Sequence, residues 1–117
     1  MPEFNISRED RVRLSHMLDG ALEIQQYVDA SARGDLDNDR KLVHSLVRLL
    51  EIIGEAANQV SDELREDVSE VPWTVIIGMR NRLVHAYFAI DLDVIWSTST
   101  EDIPLLITEL KGILGRA

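Results

Sequence analysis

Arg80, His85 and Tyr87 are the residues of this chain whose types and spacing are best suited to chemistry. A histidine exchanges a proton near neutral pH, so it can act as a general acid or base. An arginine offers a permanently charged planar fork that matches phosphate oxygens. Segment 71–90, which contains all three residues, has two arginines and no acidic residue, whereas the whole chain carries a net charge of −9. This acid-free window is where we expect an anion to bind.

The spacing of these residues limits how they can meet. On a continuous helix Arg80 falls on the apolar stripe with Ile77 and Val84, and a charge on a core-facing stripe is costly unless it is paired. His85 is five positions after Arg80, which corresponds to about 140° around a helix axis. The two side chains can therefore converge on one ligand only if the helix ends near His85, or if two copies of the segment meet across a two-fold axis.

Each of these residues also has an ordinary structural interpretation. An arginine near a histidine on a helix is commonly part of an ion pair or a cap. Tyr87 can be a core aromatic residue whose hydroxyl reaches the surface. Arg82 falls on the outward side of the helix and needs no functional explanation. Spacing alone leaves the structural and the functional interpretations open.

Composition restricts the class of protein. The 117 residues are enough for a single domain spanning 1–117, and 45% hydrophobic with 28% charged residues is typical of a soluble globular protein. The core that such a length can bury is small, so oligomerisation would add stability. The excess of acidic residues argues against a protein that coats nucleic acid, because phosphate binding depends on lysine and arginine.

The sequence suggests no metal, no cofactor and no membrane span. There is no cysteine, which excludes disulfides and thiolate metal sites and favours a reducing, cytoplasmic compartment. His16, His44 and His85 are scattered, without the spacing of metal ligands. The first ten residues do not resemble a signal peptide, and no apolar run is long enough for a membrane helix.

Helical spacing of apolar residues predicts the elements that precede the motif. A first helix should run from about 8 to 32, capped by Ser7 with Asp10 in a loose capping box. A polar loop follows, and a second helix then carries an apolar stripe over Leu42–Val60. Segment 61–70 is polar and is predicted to form a short helix and a turn.

The second half of the chain is predicted to be helical as well. Pro72 suits the first position of a third helix, because its missing N–H has no partner there in any case. Asp91 can cap the last helix, whose apolar stripe stays in phase across Pro104, so this region is one kinked helix or two abutting ones. No segment alternates as a strand would. The predicted fold is all-α, an antiparallel bundle of four to five helices joined by short loops.

The motif R-x-x-x-x-H-x-Y at 80–87 resembles that of the HepT-like branch of HEPN proteins. Residues 50–57, Leu-Glu-Ile-Ile-Gly-Glu-Ala-Ala, resemble the I-G-E-A segment of that family. Val71-Pro72-Trp73 resembles its proline–tryptophan entry to the motif helix, and residues 91–96 resemble the segment after the motif. The similarity covers nearly the whole chain in the same order.

This resemblance implies a HEPN-type helical bundle and a metal-independent endoribonuclease that is the toxin of a toxin–antitoxin pair. In such proteins the motif histidine and arginine, here His85 and Arg80, act at the scissile phosphate in a cleft of a homodimer. The antitoxin is a minimal nucleotidyltransferase, of the MNT type, that transfers AMP to the motif tyrosine, here Tyr87. The RNA substrate supplies its own nucleophile, the 2′-OH.

Several other residues are candidates for supporting roles. Glu55 is either the structural partner of a buried arginine or a group that positions Arg80 or His85 in the cleft. Asn81 and Arg82 lie within the motif, and we expect them to support the catalytic pair. The cationic side chains of the second helix either extend a path for RNA or simply form a solvated face: Arg40, Lys41 and Arg48.

Two other functions remain open from the sequence. The first is a non-catalytic HEPN interaction module that docks a nucleotidyltransferase and binds nucleotide or RNA without cutting it. The excess of acidic over basic residues favours this module. The second is a plain helical dimerisation domain without a ligand. The intact motif disfavours the first, and the acid-free window argues against the second.

Overall fold

The fold is built from helices and one short β-ribbon. The computed structural model describes residues 6–86 and 89–116, and the side chains of these residues except those at 80, 84–86 and 116. Its α-helices are α1 (Arg8–Asp29), α2 (Arg40–Gln59), α3 (Asp62–Asp67), α4 (Trp73–Ile77), α5 (Met79–Leu83), α6 (Leu92–Ser97) and α7 (Ile103–Arg116). A 3₁₀-helix, Arg33–Asp37, follows α1, and a π-helix, Thr98–Asp102, joins α6 to α7. The predicted all-α class is confirmed.

The core lies between the three longest of these helices. α1 packs against α2 and α7, and α2 also contacts α4, α5 and α6. α1 and α2 are antiparallel, because Asp10 near the start of α1 bonds Ser61 just beyond the end of α2. The fully buried large side chains come from both halves of the chain: Leu14, Met17, Ile24, Leu46, Leu50, Ile53, Val60, Leu83, Ile95, Ile103, Leu110 and Ile113. Among the described helices, none is both long enough and apolar enough to traverse a membrane.

Asp10 connects the start of α1 to the start of α3. The predicted cap is present, since the Ser7 hydroxyl accepts the Asp10 N–H at 3.1 Å. The Asp10 carboxylate is buried, and it accepts the backbone N–H and the hydroxyl of Ser61 at 2.9 and 2.5 Å. Ser61 in turn caps α3 by accepting the Leu64 N–H at 3.2 Å. Asp10, three residues after the cap Ser7, therefore forms a tertiary contact. A buried carboxylate needs hydrogen-bond donors to offset its desolvation, and Ser61 supplies them.

The predicted continuous third helix is wrong. Helix α4 ends at Ile77, and the next residue, Gly78, has φ of −83° and ψ of 3°, which depart from helical values. Helix α5 then ends at Leu83. The next residues form β1 (Val84–Ala86), which pairs antiparallel with β2 (Ala89–Ile90). Strands of three and two residues are too short to produce a period-two pattern, which explains why the sequence did not predict them.

The helical path across Pro104 is continuous but irregular. The π-helix lies immediately before α7, and its flanking residues Ser97 and Ile103 both have right-handed helical dihedrals. Proline lacks the N–H that would bond the carbonyl four residues earlier, and its ring crowds that carbonyl. The carbonyl four residues before Pro104 is that of Thr100, which lies within the π-helix. The Thr100 hydroxyl donates to the Trp96 carbonyl at 2.7 Å. The apolar stripe therefore passes through one interrupted helix.

Gly54 sets the distance between α2 and α4. A Cβ at this position would lie 3.1 Å from the Ile76 carbonyl oxygen and 3.7 Å from that of Ile77. We expect Gly54→Ala to lower the free energy of unfolding by about 1–3 kcal/mol, because the oxygens belong to the backbone of α4 and cannot rotate away. Urea denaturation measures this change.

Gly112 provides the matched control, since it lies exposed within α7 with open space around it. Gly112→Ala should raise the free energy of unfolding by roughly 0.5–1 kcal/mol, the usual gain in a helix interior. Equal effects of the two substitutions would contradict the close approach at Gly54.

Candidate active site

The motif residues lie on two different elements. Arg80 is the second residue of α5, and His85 is the middle residue of β1. The helix ends two residues before His85, so the divergence of about 140° expected on a single helix does not apply. Of the two ways in which the pair can converge, the structure has the first, a helix that ends near the histidine. Tyr87 lies outside the described residues, as do the side chains of Arg80 and His85.

The predicted apolar face of the third helix, formed by Trp73, Ile76, Ile77, Leu83 and Val84, is confirmed in part. Trp73, Ile76 and Leu83 are buried as predicted, Met79 is buried as well, Ile77 is only half-buried, and the side chain of Val84 is not among those described. The buried residues recur at steps of three, three and four, so the helical spacing of the apolar face persists across the break between α4 and α5. The helical face ends at Leu83, because β1 begins at the next residue.

Both ends of the motif segment are fixed by hydrogen bonds. At its entry, the indole N–H of Trp73 donates to the Val68 carbonyl at 3.1 Å, within a buried environment. At its exit, the Asp91 N–H donates to the Leu83 carbonyl at 2.8 Å and closes the base of the ribbon. The Asp91 carboxylate accepts the Val94 N–H at 3.1 Å, so the predicted cap of α6 is confirmed. The chain is therefore held on both sides of α5, which packs on α2.

Two surface grooves lie along α2 beside the motif segment. The α2–α4 groove is lined by Leu50, Glu51, Gly54, Glu55, Asn58 and Ile77. The α2–β2 groove is lined by Leu36, Arg40, Val43, His44, Ile90 and Leu92. The motif segment leaves α4 at Ile77, next to the first groove, and β2 ends at Ile90, next to the second. Each groove is therefore bounded by a residue that lies near one end of the segment carrying the motif.

The supporting candidates are all solvent-exposed. The Glu55 side chain is 68% exposed, and its carboxylate lies 3.7 Å from the guanidinium of Arg48, which is exposed as well. This surface pair is not the buried arginine partner that the first interpretation of Glu55 expected. Asn81 and Arg82 are exposed on α5, and Arg82 borders a third groove, between α4 and α7. The proposed roles of the three at the reacting phosphate remain predictions.

Arg33 forms an ion-pair cluster that sequence reasoning missed. Its guanidinium donates to Asp93 at 2.8 and 2.9 Å and to Asp37 at 3.3 Å. The hydrogen bond to Asp93 is the main reason that the pKa of Arg33 is raised above its ordinary value. The pair joins the 3₁₀-helix to the first turn of α6, 60 residues away in sequence, so no local pattern could have revealed it.

Metal ligation finds no support in the part of the chain that the structure describes. There, no three histidine, aspartate or glutamate side chains are grouped so that they could hold a metal ion. His16 on α1 and His44 on α2 are both exposed. The side chain of His85 is not among those described, so a metal-free site remains an expectation from the sequence.

Comparison with known proteins finds similarity to one family of ribonucleases. Residues 17–113 match the family model described as ribonuclease HepT-like. A protein of Caldanaerobacter subterraneus named as a candidate RNase is 39% identical over 91% of this chain and 95% of its own length. A candidate RNase of Methanocaldococcus jannaschii is 31% identical over 89% and 95%. A candidate ribonuclease HepT of Thermococcus cleftensis is 43% identical over 58% and 62%. No solved structure matches the chain significantly.

Proposed function

The chain belongs to the HepT-like ribonuclease family, and on that premise we propose that it is a metal-independent endoribonuclease whose catalytic residues are Arg80 and His85. The observation that carries this proposal is the complete R-x4-H-x-Y motif, whose Arg80 belongs to α5 and whose His85 belongs to β1. The helix end at Leu83 supports it, because the pair no longer has to diverge around one axis.

The chemistry requires only proton transfer and stabilisation of charge on phosphorus. The 2′-OH of the nucleotide before the scissile bond attacks the adjacent phosphorus, and the bond to the 5′ oxygen of the next nucleotide breaks. The 2′-OH loses a proton and the leaving 5′ oxygen gains one; His85 carries out one of these two transfers and solvent water the other. Arg80 stabilises the additional negative charge on the phosphate oxygens. The products are a 2′,3′-cyclic phosphate end and a 5′-hydroxyl end.

This mechanism is tested with purified protein and a single-stranded RNA. We expect cleavage to continue in excess EDTA, because neither catalytic role requires a metal, and mass spectrometry of the fragments should identify 2′,3′-cyclic phosphate ends. The control is the same reaction with added Mg²⁺, which should proceed at a similar rate. Loss of cleavage in EDTA with recovery on adding a divalent ion would contradict the proposed mechanism.

The proposed biological role is that of a toxin held in check by a partner. The partner is a minimal nucleotidyltransferase that transfers AMP from ATP to the hydroxyl of Tyr87. Tyr87 is two residues after His85, so a group attached to it would crowd the imidazole. The nucleotide also adds a phosphate that can take the place of the RNA phosphate near Arg80, so that one modification blocks both the space and the charge of the site.

The active form is proposed to be a homodimer whose cleft contains the motif. One surface feature supports this. The groove between α4 and α7 carries two exposed large apolar residues, Val75 at 46% and Leu105 at 66%, close to Met79 and Arg82 of the motif helix. Exposed apolar side chains that line one groove are typical of contact surfaces.

A dimer should appear in light scattering at micromolar concentration. Leu105→Glu should shift the protein to a monomer, because it buries a charge in the proposed contact. Val12→Glu is the control, since Val12 is exposed on α1 and lies outside this groove. A wild-type monomer at that concentration would contradict the homodimer.

A further inference from the structure

One stripe of α2 carries residues from both grooves that flank the motif. Positions 40, 44, 48, 51, 55 and 58 recur at steps of three and four, so they lie on one face of the helix. Arg40 and His44 line the α2–β2 groove at one end of this stripe, which we term the α2 stripe. Glu51, Glu55 and Asn58 line the α2–α4 groove at the other end. Helix α5 also packs on α2.

The two halves of the α2 stripe have opposite charge. Arg40, His44 and Arg48 occupy the half nearest β2, and all three are exposed. Glu51 and Glu55 occupy the half nearest α4. Lysine and arginine provide most of the attraction for nucleic-acid phosphates, and carboxylates repel them. The change of sign therefore falls between the two grooves.

The acidic residues near the basic half already have partners. Asp37 and Asp93 both bind Arg33. The Asp39 carboxylate accepts the Leu42 N–H at 3.0 Å as the cap of α2. Among the described residues no carboxylate forms an ion pair with Arg40. The basic half is therefore able to bind a phosphate despite the acidity of the chain.

Arg48 can change partners at little cost. Its contact with Glu55 is long, at 3.7 Å, and both side chains are more than 60% exposed. Exposed ion pairs of this kind contribute between zero and about 1 kcal/mol. An RNA phosphate, which accepts a bidentate hydrogen bond, competes well with such a contact.

We infer that the basic half of the α2 stripe binds the RNA backbone on one side of the scissile phosphate, with Arg40 and Arg48 as the phosphate contacts. This inference rests on the proposed ribonuclease function. At 1.5 Å per residue the two positions are about 12 Å apart along the helix axis, so they contact separate phosphates.

Salt-dependent binding tests this inference without cleavage. The probe is a fluorescein-labelled, fully 2′-O-methylated single-stranded RNA, which cannot be cut because its 2′ oxygen is blocked, and fluorescence anisotropy gives the Kd at several salt concentrations. For Arg40→Gln/Arg48→Gln we expect the slope of log Kd against log salt to fall by about 1.4, or about 0.7 for each contact. By the same relation, binding at 0.1 M salt should weaken about 25-fold.

Two control variants distinguish the loss of local phosphate contacts from the effect of a change in net charge. Arg8→Gln/Lys111→Gln makes the same change in charge at exposed positions of α1 and α7 that line neither groove, and it should retain the wild-type slope. Arg40→Lys/Arg48→Lys keeps the charge and should retain most of the slope. Circular dichroism melting shows that each variant is folded.

The possible results separate the two proposals. Equal slopes for the wild type and Arg40→Gln/Arg48→Gln, in a wild type that cleaves unmodified RNA, overturn the RNA path alone. Equal losses in the Arg8/Lys111 control also overturn it, because the effect is then one of net charge. If the wild type does not cleave RNA but its binding still depends on Arg40 and Arg48, the path is supported and the proposed ribonuclease function is wrong.

Discussion

Cells that produce this chain without a partner should stop growing, and cells that produce the His85→Ala variant should grow normally. The reason is that an endoribonuclease without its inhibitor degrades cellular RNA, and His85 is the residue in the motif able to transfer a proton near neutral pH. Removing a general acid or base typically slows a reaction by about 10² to 10⁴-fold. A reduction of that size should bring RNA cleavage below the level that limits growth.

A matched histidine serves as control for this growth experiment. His16→Ala removes an exposed histidine of α1 that is remote in sequence from the motif, so this variant should remain as toxic as the wild type. Immunoblotting must show equal amounts of the three proteins. If the wild type and His85→Ala arrest growth equally, or neither does, the motif histidine has no role in toxicity.

Co-production with a cognate nucleotidyltransferase should convert the protein to an inactive form modified on Tyr87. Each AMP unit adds about 329 Da by covalent chemistry, so intact-protein mass spectrometry should resolve one or more such additions. The recovery of growth should increase with the fraction of the protein that is modified. Tyr87→Phe should keep some toxicity and escape neutralisation, because it retains the ring but lacks the hydroxyl that accepts AMP.

The chain provides its own control, since Tyr27 and Tyr87 are its two tyrosines. Tyr27 is exposed on α1, and peptide mass spectrometry should show it unmodified. Tyr27→Phe should be neutralised like the wild type. An unmodified Tyr87 in a fully neutralised complex would mean that the partner inhibits by docking alone, and would favour the non-catalytic interaction module.

Local signals predicted most of the helices. The apolar stripes of α1, α2 and α7 follow from spacing alone, because an amphipathic helix buries one face whatever its partner is. The caps at Ser7 and Asp91 were also predictable, since short polar side chains satisfy the free N–H groups of a first turn. The helix ends were less accurate. α1 stops at Asp29 rather than near residue 32, where a 3₁₀-helix begins instead.

The motif region could not be predicted in the same way. Val84–Ala86 continue a pattern that fits a helix, but they are extended and pair with β2 through Val84–Ile90 and Ala86–Ala89. This ribbon is local, yet its strands are too short to leave a pattern in the sequence. The close approach of Gly54 to the Ile76 carbonyl, which sets the distance of α4 from α2, is a tertiary feature. The motif was therefore recognisable in the sequence, whereas the two elements that carry Arg80 and His85, α5 and β1, were not predicted.

The most direct test of the account is the cleavage rate of one single-stranded RNA by purified wild-type protein and purified His85→Ala, compared side by side in the presence of EDTA. The account predicts cleavage by the wild type and a rate at least about 10²-fold lower for His85→Ala, with circular dichroism showing that both are folded. Equal rates for the two proteins, or no cleavage by the wild type, would contradict the claim that the motif is the catalytic centre of a ribonuclease.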